Sequence, residues 1–185
     1  RRLRTTVRPD FRLPGAEGQL VRNIRGVIED DGTDYFGFQF QPGAPTIQGE
    51  LERVLSEIVK EDVTVYGSGR TDTGVHAAGQ VINFHTDGTI PIERVCVAMN
   101  SLLPRDIAAL EAVEVDAEFH SRYSAISRLY RYDILNRNVK SALMGRYMWH
   151  INRPLDVQAM SEAAGCLIGV HDFSSFACSG SETRT

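Results

Sequence analysis

The sequence predicts an α+β protein, and three observations predict it. Apolar residues switch between the two-residue period of strands and the 3.6-residue period of helices; they do so in the order strand, helix, strand, strand, helix, strand; and the pattern restarts after residue 118. That order is the split βαβ arrangement of ferredoxin-like domains, βαββαβ with a mainly antiparallel sheet. The expected organisation is a lead at 1–22, a complete N-terminal domain at 23–118, and the truncated start of a second α+β unit at 119–185.

The lead, RRLRTTVRPDFRLPGAEGQ, has no apolar periodicity and is expected to be flexible. Its arginine-rich, acid-poor composition also fits a transit-like segment. In 23–29, Ile24, Gly26 and Ile28 share one side of a strand, which the turn-forming Asp-Asp-Gly-Thr-Asp closes. Thr46 then offers a side-chain oxygen to cap a helix in which Ile47, Leu51, Val54, Leu55 and Ile58 make one apolar face. Residues 63–69 read as a strand running into a glycine-rich loop, and 80–86 as the strand that leaves it. Ile92, Val95, Met99 and Leu102 fall in phase for a shorter helix ended by Pro104, and 106–115 returns as a strand. In the second unit a strand is expected over 127–136 and a helix near 157–167.

Hydrophobic residues make up 42% and charged residues 24% of the 185, which excludes a disordered chain, and no stretch approaches the apolar length of a membrane span. A soluble protein without a membrane segment is expected. Cys96, Cys166 and Cys178 are scattered and odd in number, which argues against a disulfide framework or a thiolate metal site and points to a reducing compartment, the cytoplasm. The net charge of -4 conceals an uneven distribution. Residues 1–25 hold seven arginines against Asp10 and Glu17. Residues 120–153 hold Arg122, Arg128, Arg131, Arg137, Lys140, Arg146 and Arg153 against Asp133 alone, interleaved with Tyr123, Tyr130, Tyr132, Tyr147 and Trp149. Cations meet phosphate and aromatic faces stack on bases, so this composition suits a nucleic-acid surface; it suits a solvated strand pair equally well.

The loop GSGRTDTGVHA, 67–77, is the strongest local signal. A phosphate cradle would place its glycines before a helix N-terminus, whereas a strand follows here and no lysine holds the P-loop position. A metal site would need Asp72 and His76 in helical geometry, or help from His85 and His120, and no recognised ligand spacing supplies it. His76 reads instead as a hydrogen-bonded loop histidine. What remains is a reactive carboxylate. Gly67, Gly69 and Gly74 permit sharp turns, and Arg70, two residues before Asp72, is placed to keep that carboxylate ionised in a closed site, from which it can attack carbon. The same residues also make a plain salt-bridged turn, and a hydrolase pairing Asp72 with His76 is a further reading. Ser174 and Ser175 lack a nucleophile elbow and read as packing and capping.

Six motifs stand in order along the chain: DGTDYFGFQ (31–39), TIQGELE (46–52), GSGRTDTGVHAAGQV (67–81), FHSRYSA (119–125), RLYRYDILN (128–136) and HDFSSF (171–176). On these the chain resembles the tRNA pseudouridine synthase A family, from about residue 23 to 185. The resemblance implies the pseudouridine synthase fold and isomerisation of uridines on the 3′ side of the tRNA anticodon stem-loop. It places the family's nucleophile on Asp72, the arginine that holds the target uridine out of the stack on Arg70, and the tyrosine that stacks on the uracil on Tyr130. It implies no cofactor and no metal, and a homodimer whose basic cleft grips tRNA by shape and phosphate contacts. A non-catalytic RNA-binding module on the same fold would keep the basic and aromatic residues but not need Arg70 with Asp72. Two positions depart from the family pattern: Asp30 stands where tyrosine is usual, adding a like charge beside Asp31, and Phe38 stands where tryptophan is common. Family members continue past the position of Thr185 with a stretch that supplies a basic partner for the aspartate and an apolar wall of the uracil pocket. The 185-residue piece alone is therefore expected to be inactive.

Overall fold

The computed structural model describes residues 21–176. The lead before residue 21, Cys178 and the closing SGSETRT lie outside the described residues. The described residues divide into two compact units, one running through Leu129 and the other starting at Tyr130. The chain is a mixed α+β protein with a mainly antiparallel sheet.

The first unit contains β1 (Arg22–Asp30), α1 (Ile47–Val59), β2 (Tyr66–Gly67), β3 (Ala77–Thr86), α2 (Ile92–Leu102) and β4 (Ile107–Val115). Its four strands pair antiparallel in the order β2-β3-β1-β4. Ile24 and Ile28 of β1 are fully buried and join Ile82 and Phe84 of β3, Leu51, Val54 and Leu55 of α1, and Val95 and Met99 of α2 in one core. Each such side chain withdraws enough apolar surface to contribute about 1.5 to 3 kcal/mol. Thr46 caps α1 through its Oγ1, which accepts from Gly49 N at 3.2 Å. Arg22 pairs with Glu114 and Arg25 with Glu111, so two of the N-terminal arginines serve the β1–β4 pairing.

The strand expected at 63–69 shrinks to Tyr66–Gly67. Val63 and Val65 are buried as their pattern implies, but side chains of α1 replace the ladder. Val63 N donates to Ser56 Oγ at 3.0 Å, Val65 N to Glu52 Oε1 at 3.0 Å, and Gln48 Nε2 donates to Val65 O at 3.2 Å. Past β4 the chain stays fastened to this unit by a buried amide pair. Asn83 Nδ2 donates to Asn23 Oδ1 at 3.0 Å, Asn23 Nδ2 to Phe119 O at 2.8 Å, and Ser121 N to Asn83 Oδ1 at 2.9 Å.

In the second unit the strand expected over 127–136 is only β5 (Ile134–Asn136), paired in parallel with β6 (Trp149–Ile151), a strand too short for any period to reveal. α3 (Val157–Gly165) is shorter than the expected 157–167; Asp156 Oδ1 caps it from Ala159 N at 2.9 Å, and it has no buried residue. HDFSSF forms a one-turn 3-10 helix in which Ser174 N donates to Asp172 Oδ1 at 2.8 Å.

Candidate active site

The 67–77 loop joins β2 to β3 and is clamped at both ends. At its start, Ser68 N donates to Val81 O at 2.8 Å, Ser68 Oγ to Gln80 Oε1 at 2.8 Å, and the buried Gln80 returns a bond from Nε2 to Gly69 O at 2.6 Å. At its tip, Val75 N donates to Asp72 O at 3.1 Å and Gly74 has φ 77°.

The segment Asp31–Phe38, carrying most of the first motif, is the bed on which the loop lies. Phe38 N donates to Thr71 O at 3.0 Å, and Gly32 N donates to His76 Nδ1 at 3.1 Å. Two glycines allow this approach: a Cβ at Gly37, whose φ is 88°, would stand 2.6 Å from Thr71 O, and one at Gly32 would stand 2.1 Å from Val75 O. No side chain fits at either distance, because van der Waals overlap there is prohibitive. His76 is thus a hydrogen-bonded loop histidine, as its sequence context suggests, and its Nδ1 also lies 3.0 Å from Asp31 Oδ1.

Asp72 is exposed at the start of the tip turn. The ion pair expected between it and Arg70 does not form among the described residues. Thr71, between them, is fixed through its carbonyl to Phe38, and Asp72 already opens the turn that Val75 closes, so the pair loses the same-side relation of an extended i, i+2 spacing. Arg70 instead lines a cleft of about 250 Å³ with Phe38, Gln48, Val65, Tyr66, His120, Arg122 and Tyr123; Asp72 is not part of its lining.

The cleft wall is an aromatic ladder. Tyr66 and His120 have ring centroids 4.9 Å apart, His120 and Tyr123 4.5 Å, and the Arg122 guanidinium lies 5.7 Å from the Tyr123 ring centre. Burial pushes the His120 imidazole below its usual proton affinity, against a backbone hydrogen bond that raises it, with Arg122 adding to the lowering. Arg128 donates from Nε to Ser68 O at 2.8 Å and ties the next motif to the loop. Flat neutral faces with flanking guanidiniums suit a nucleobase and its phosphate. Charge and aromaticity single out Arg122 and Tyr123 in the sequence, and the FHSRYSA motif holds His120 beside them, whereas Tyr66, just ahead of the glycine-rich loop, was missed. Tyr130 opens the second unit outside any strand and is 75% exposed.

Asp30, which the sequence marks as a like charge beside Asp31, is buried at 4% exposure. Desolvation raises its carboxyl from 3.8 to about 6, opposed by His76 and by the Ala77 amide. Tyr35 donates to Asp106 Oδ1 at 2.8 Å, and burial together with that bond pushes its phenol well up. No group of three or more His, Cys, Asp or Glu side chains among the described residues is arranged to hold a metal, and no described helix is long and apolar enough to cross a membrane.

Residues 27–124, over half of the chain and the whole of this loop, its bed and the cleft, match the sequence model of a family described as tRNA pseudouridine synthase. The chain belongs to the tRNA pseudouridine synthase family. It is 53% identical over 156 residues to tRNA pseudouridine synthase A of Moorella thermoacetica, covering 83% of this chain and 63% of the relative. It is 47% identical over 161 residues to that of Thermoanaerobacter sp., covering 87% and 66%, and 47% identical over 165 residues to that of Caldicellulosiruptor saccharolyticus, covering 89% and 68%. The chain therefore spans 63% to 68% of the length of these curated relatives.

Proposed function

We propose that this chain carries the catalytic loop of a tRNA pseudouridine synthase, with Asp72 as the nucleophile. The observation that carries the reading is an exposed aspartate at the tip of a loop held down on both sides, within a chain of this family. The first unit is taken as a ferredoxin-like domain, supported by its β2-β3-β1-β4 order, and is followed by the start of a second domain of the synthase fold.

Uridine becomes pseudouridine when the bond from N1 to C1′ breaks, the uracil turns, and C5 bonds to C1′ while its proton leaves and N1 takes one up. Atoms and electrons balance within the substrate, so the reaction calls for no oxidant or cofactor. Asp72 attacks C6 of the base or C1′ of the sugar. The target base first leaves its stack at a cost of a few kcal/mol. Tyr130 stacking on the freed uracil, worth about 1 to 3 kcal/mol, and Arg70 filling the vacated position offset that cost. Arg122 and the Tyr66–His120–Tyr123 ladder suit the adjoining RNA. The substrate is the anticodon stem-loop of tRNA, and the working form is a cytoplasmic homodimer.

In the full-length protein, Asp72→Asn is expected to abolish pseudouridine formation while tRNA affinity stays within about tenfold, or ~1.4 kcal/mol. Product from the asparagine variant would remove Asp72 from the role. A wild-type protein that binds tRNA without product would favour an RNA-binding module, and loss of mass from the RNA would favour a hydrolase, because pseudouridine formation is mass-neutral.

A further inference from the structure

Residues 120–124 form a turn fixed by its serines. Ser121, buried at 2% exposure, donates from N to Asn83 Oδ1 at 2.9 Å and from Oγ to Tyr66 O at 2.8 Å, which fastens the turn to β2 and β3. Ser124 N donates to His120 O at 2.8 Å, and His120 N donates to Ser124 Oγ at 3.1 Å, which closes it. Arg122 N donates to His120 Nδ1 at 3.2 Å and holds that ring between Tyr66 and Tyr123. The side chains of Arg122 and Tyr123 supply none of these bonds, and the Tyr123 ring is 77% exposed. An aromatic ring held rigidly in water offers a large contact area at little further entropy cost on binding.

The turn opens onto the cleft, which Arg70 and Tyr66 line from the loop side. Neither the Arg70 nor the Arg122 guanidinium pairs with a carboxylate among the described residues, and no lining residue of the cleft is acidic. Two guanidiniums without counter-charges beside a wall of flat rings suit a ligand that is aromatic at one end and anionic at the other. At about 250 Å³ the cleft is smaller than the roughly 300 to 1,000 Å³ of drug-sized pockets, so it takes one planar ring system and not a paired stem.

We propose that this cleft seats one unpaired nucleotide of the substrate RNA, one or two places along the strand from the target uridine, with its base stacked on Tyr123 and its phosphate on the Arg122 guanidinium. Asp72 is not part of the lining, so the seated base is not the reacting one. Arg70 is part of it, and the backbone from Arg70 to Asp72 spans at most about 7 Å, or about two rises of a stacked strand at roughly 3.4 Å each. A strand whose target lies at Asp72 therefore reaches the cleft with a near neighbour. Both faces of a base within a duplex are covered, so the cleft selects targets that adjoin unpaired strand, and stacking makes it tolerant of which base is seated. The link to the target rests on the reading of Asp72 above; the stacking site for single-stranded RNA does not. Arg122 and Tyr123 are binding residues and touch no reacting atom.

The test uses the full-length protein and an anticodon stem-loop RNA with a single target uridine, intact or with an abasic nucleotide at each position within two of the target. Affinity is read by fluorescence anisotropy and product separately. At one of these positions the abasic RNA is expected to bind about tenfold more weakly than the intact RNA. Tyr123→Leu is expected to weaken the intact RNA by the same factor and that abasic RNA not at all, while Tyr123→Phe keeps the wild-type affinity; a merely structural role gives no such non-additivity. Arg122→Ala is expected to lower the salt dependence of binding by about one phosphate contact. If no abasic position weakens binding, or if Tyr123→Leu changes the affinity for intact and abasic RNA equally, zero included, the site is overturned. An unchanged salt dependence overturns the phosphate contact. Pseudouridine formed without any such position sinks the site and leaves the catalytic reading standing; the full pattern in a protein that forms none sinks the catalytic reading and leaves the site.

Discussion

The burial of Asp30 makes the stability of the fold depend on pH. Below 3.8 its carboxyl is protonated in the folded and unfolded chains alike and imposes no cost. Between 3.8 and about 6 the unfolded chain releases the proton first, so stability falls as pH rises through this window and levels off above it. The interval corresponds to about 3 kcal/mol for a group this buried. Asp30→Asn is therefore expected to stabilise the protein by roughly 1 to 3 kcal/mol near neutral pH and to flatten the window; urea denaturation across it reads the effect, and an unchanged slope would contradict the assignment. Gly32 makes a sharper case. Its missing Cβ leaves room for Val75 O, so Gly32→Ala is expected to displace the loop and cost at least about 2 kcal/mol, visible as shifts of the 71–77 amides.

Among the elements, α1 decides what happens on both of its flanks. It ends at Lys60 with φ 64°, a left-handed conformation in which a side chain costs about 1 kcal/mol and glycine costs nothing comparable. Lys60→Gly is expected to raise stability by about 0.5 to 1 kcal/mol in chemical denaturation, and a loss would show that the lysine side chain contributes more than its backbone strain. On the other flank, α1 replaces strand pairing for 63–65 with the side chains of Gln48, Glu52 and Ser56. Removing the Glu52 carboxylate leaves Val65 N buried without its acceptor. Glu52→Ala is accordingly expected to cost about 1 to 3 kcal/mol, against a few tenths for Glu57→Ala on the exposed face.

Across the whole molecule the core is unevenly shared. Every buried hydrophobic residue among those described lies in the first unit, from Ile24 to Ala109, whereas Val157, Met160 and Ile168 of the second stand 70%, 46% and 81% exposed. Local opening costs least where few apolar side chains are buried. Brief trypsin treatment of the 185-residue chain is thus expected to cut at Arg131, Arg137, Lys140 and Arg146 before Arg53 or Arg94, with the fragments weighed by mass spectrometry. Equal rates at the two groups of sites would mean that the units open together.

The sequence by itself determined the order of elements in the first unit, the Thr46 cap, the position of the glycine-rich loop between two strands and, through its ordered motifs, the family. These are local: period, cap chemistry and spacing act within a few residues of one another. Only the tertiary structure decided that 63–65 would bond to helix side chains, that 127–133 would stay outside any strand, and that Arg70 would line a cleft instead of pairing with Asp72. It also decided that Asp30 would be buried and that Asp31–Phe38 would form the bed of a loop 44 residues further along. Each depends on which distant backbone group arrives first to satisfy a donor or exclude water, and a one-dimensional pattern carries no distance between residues far apart in the chain.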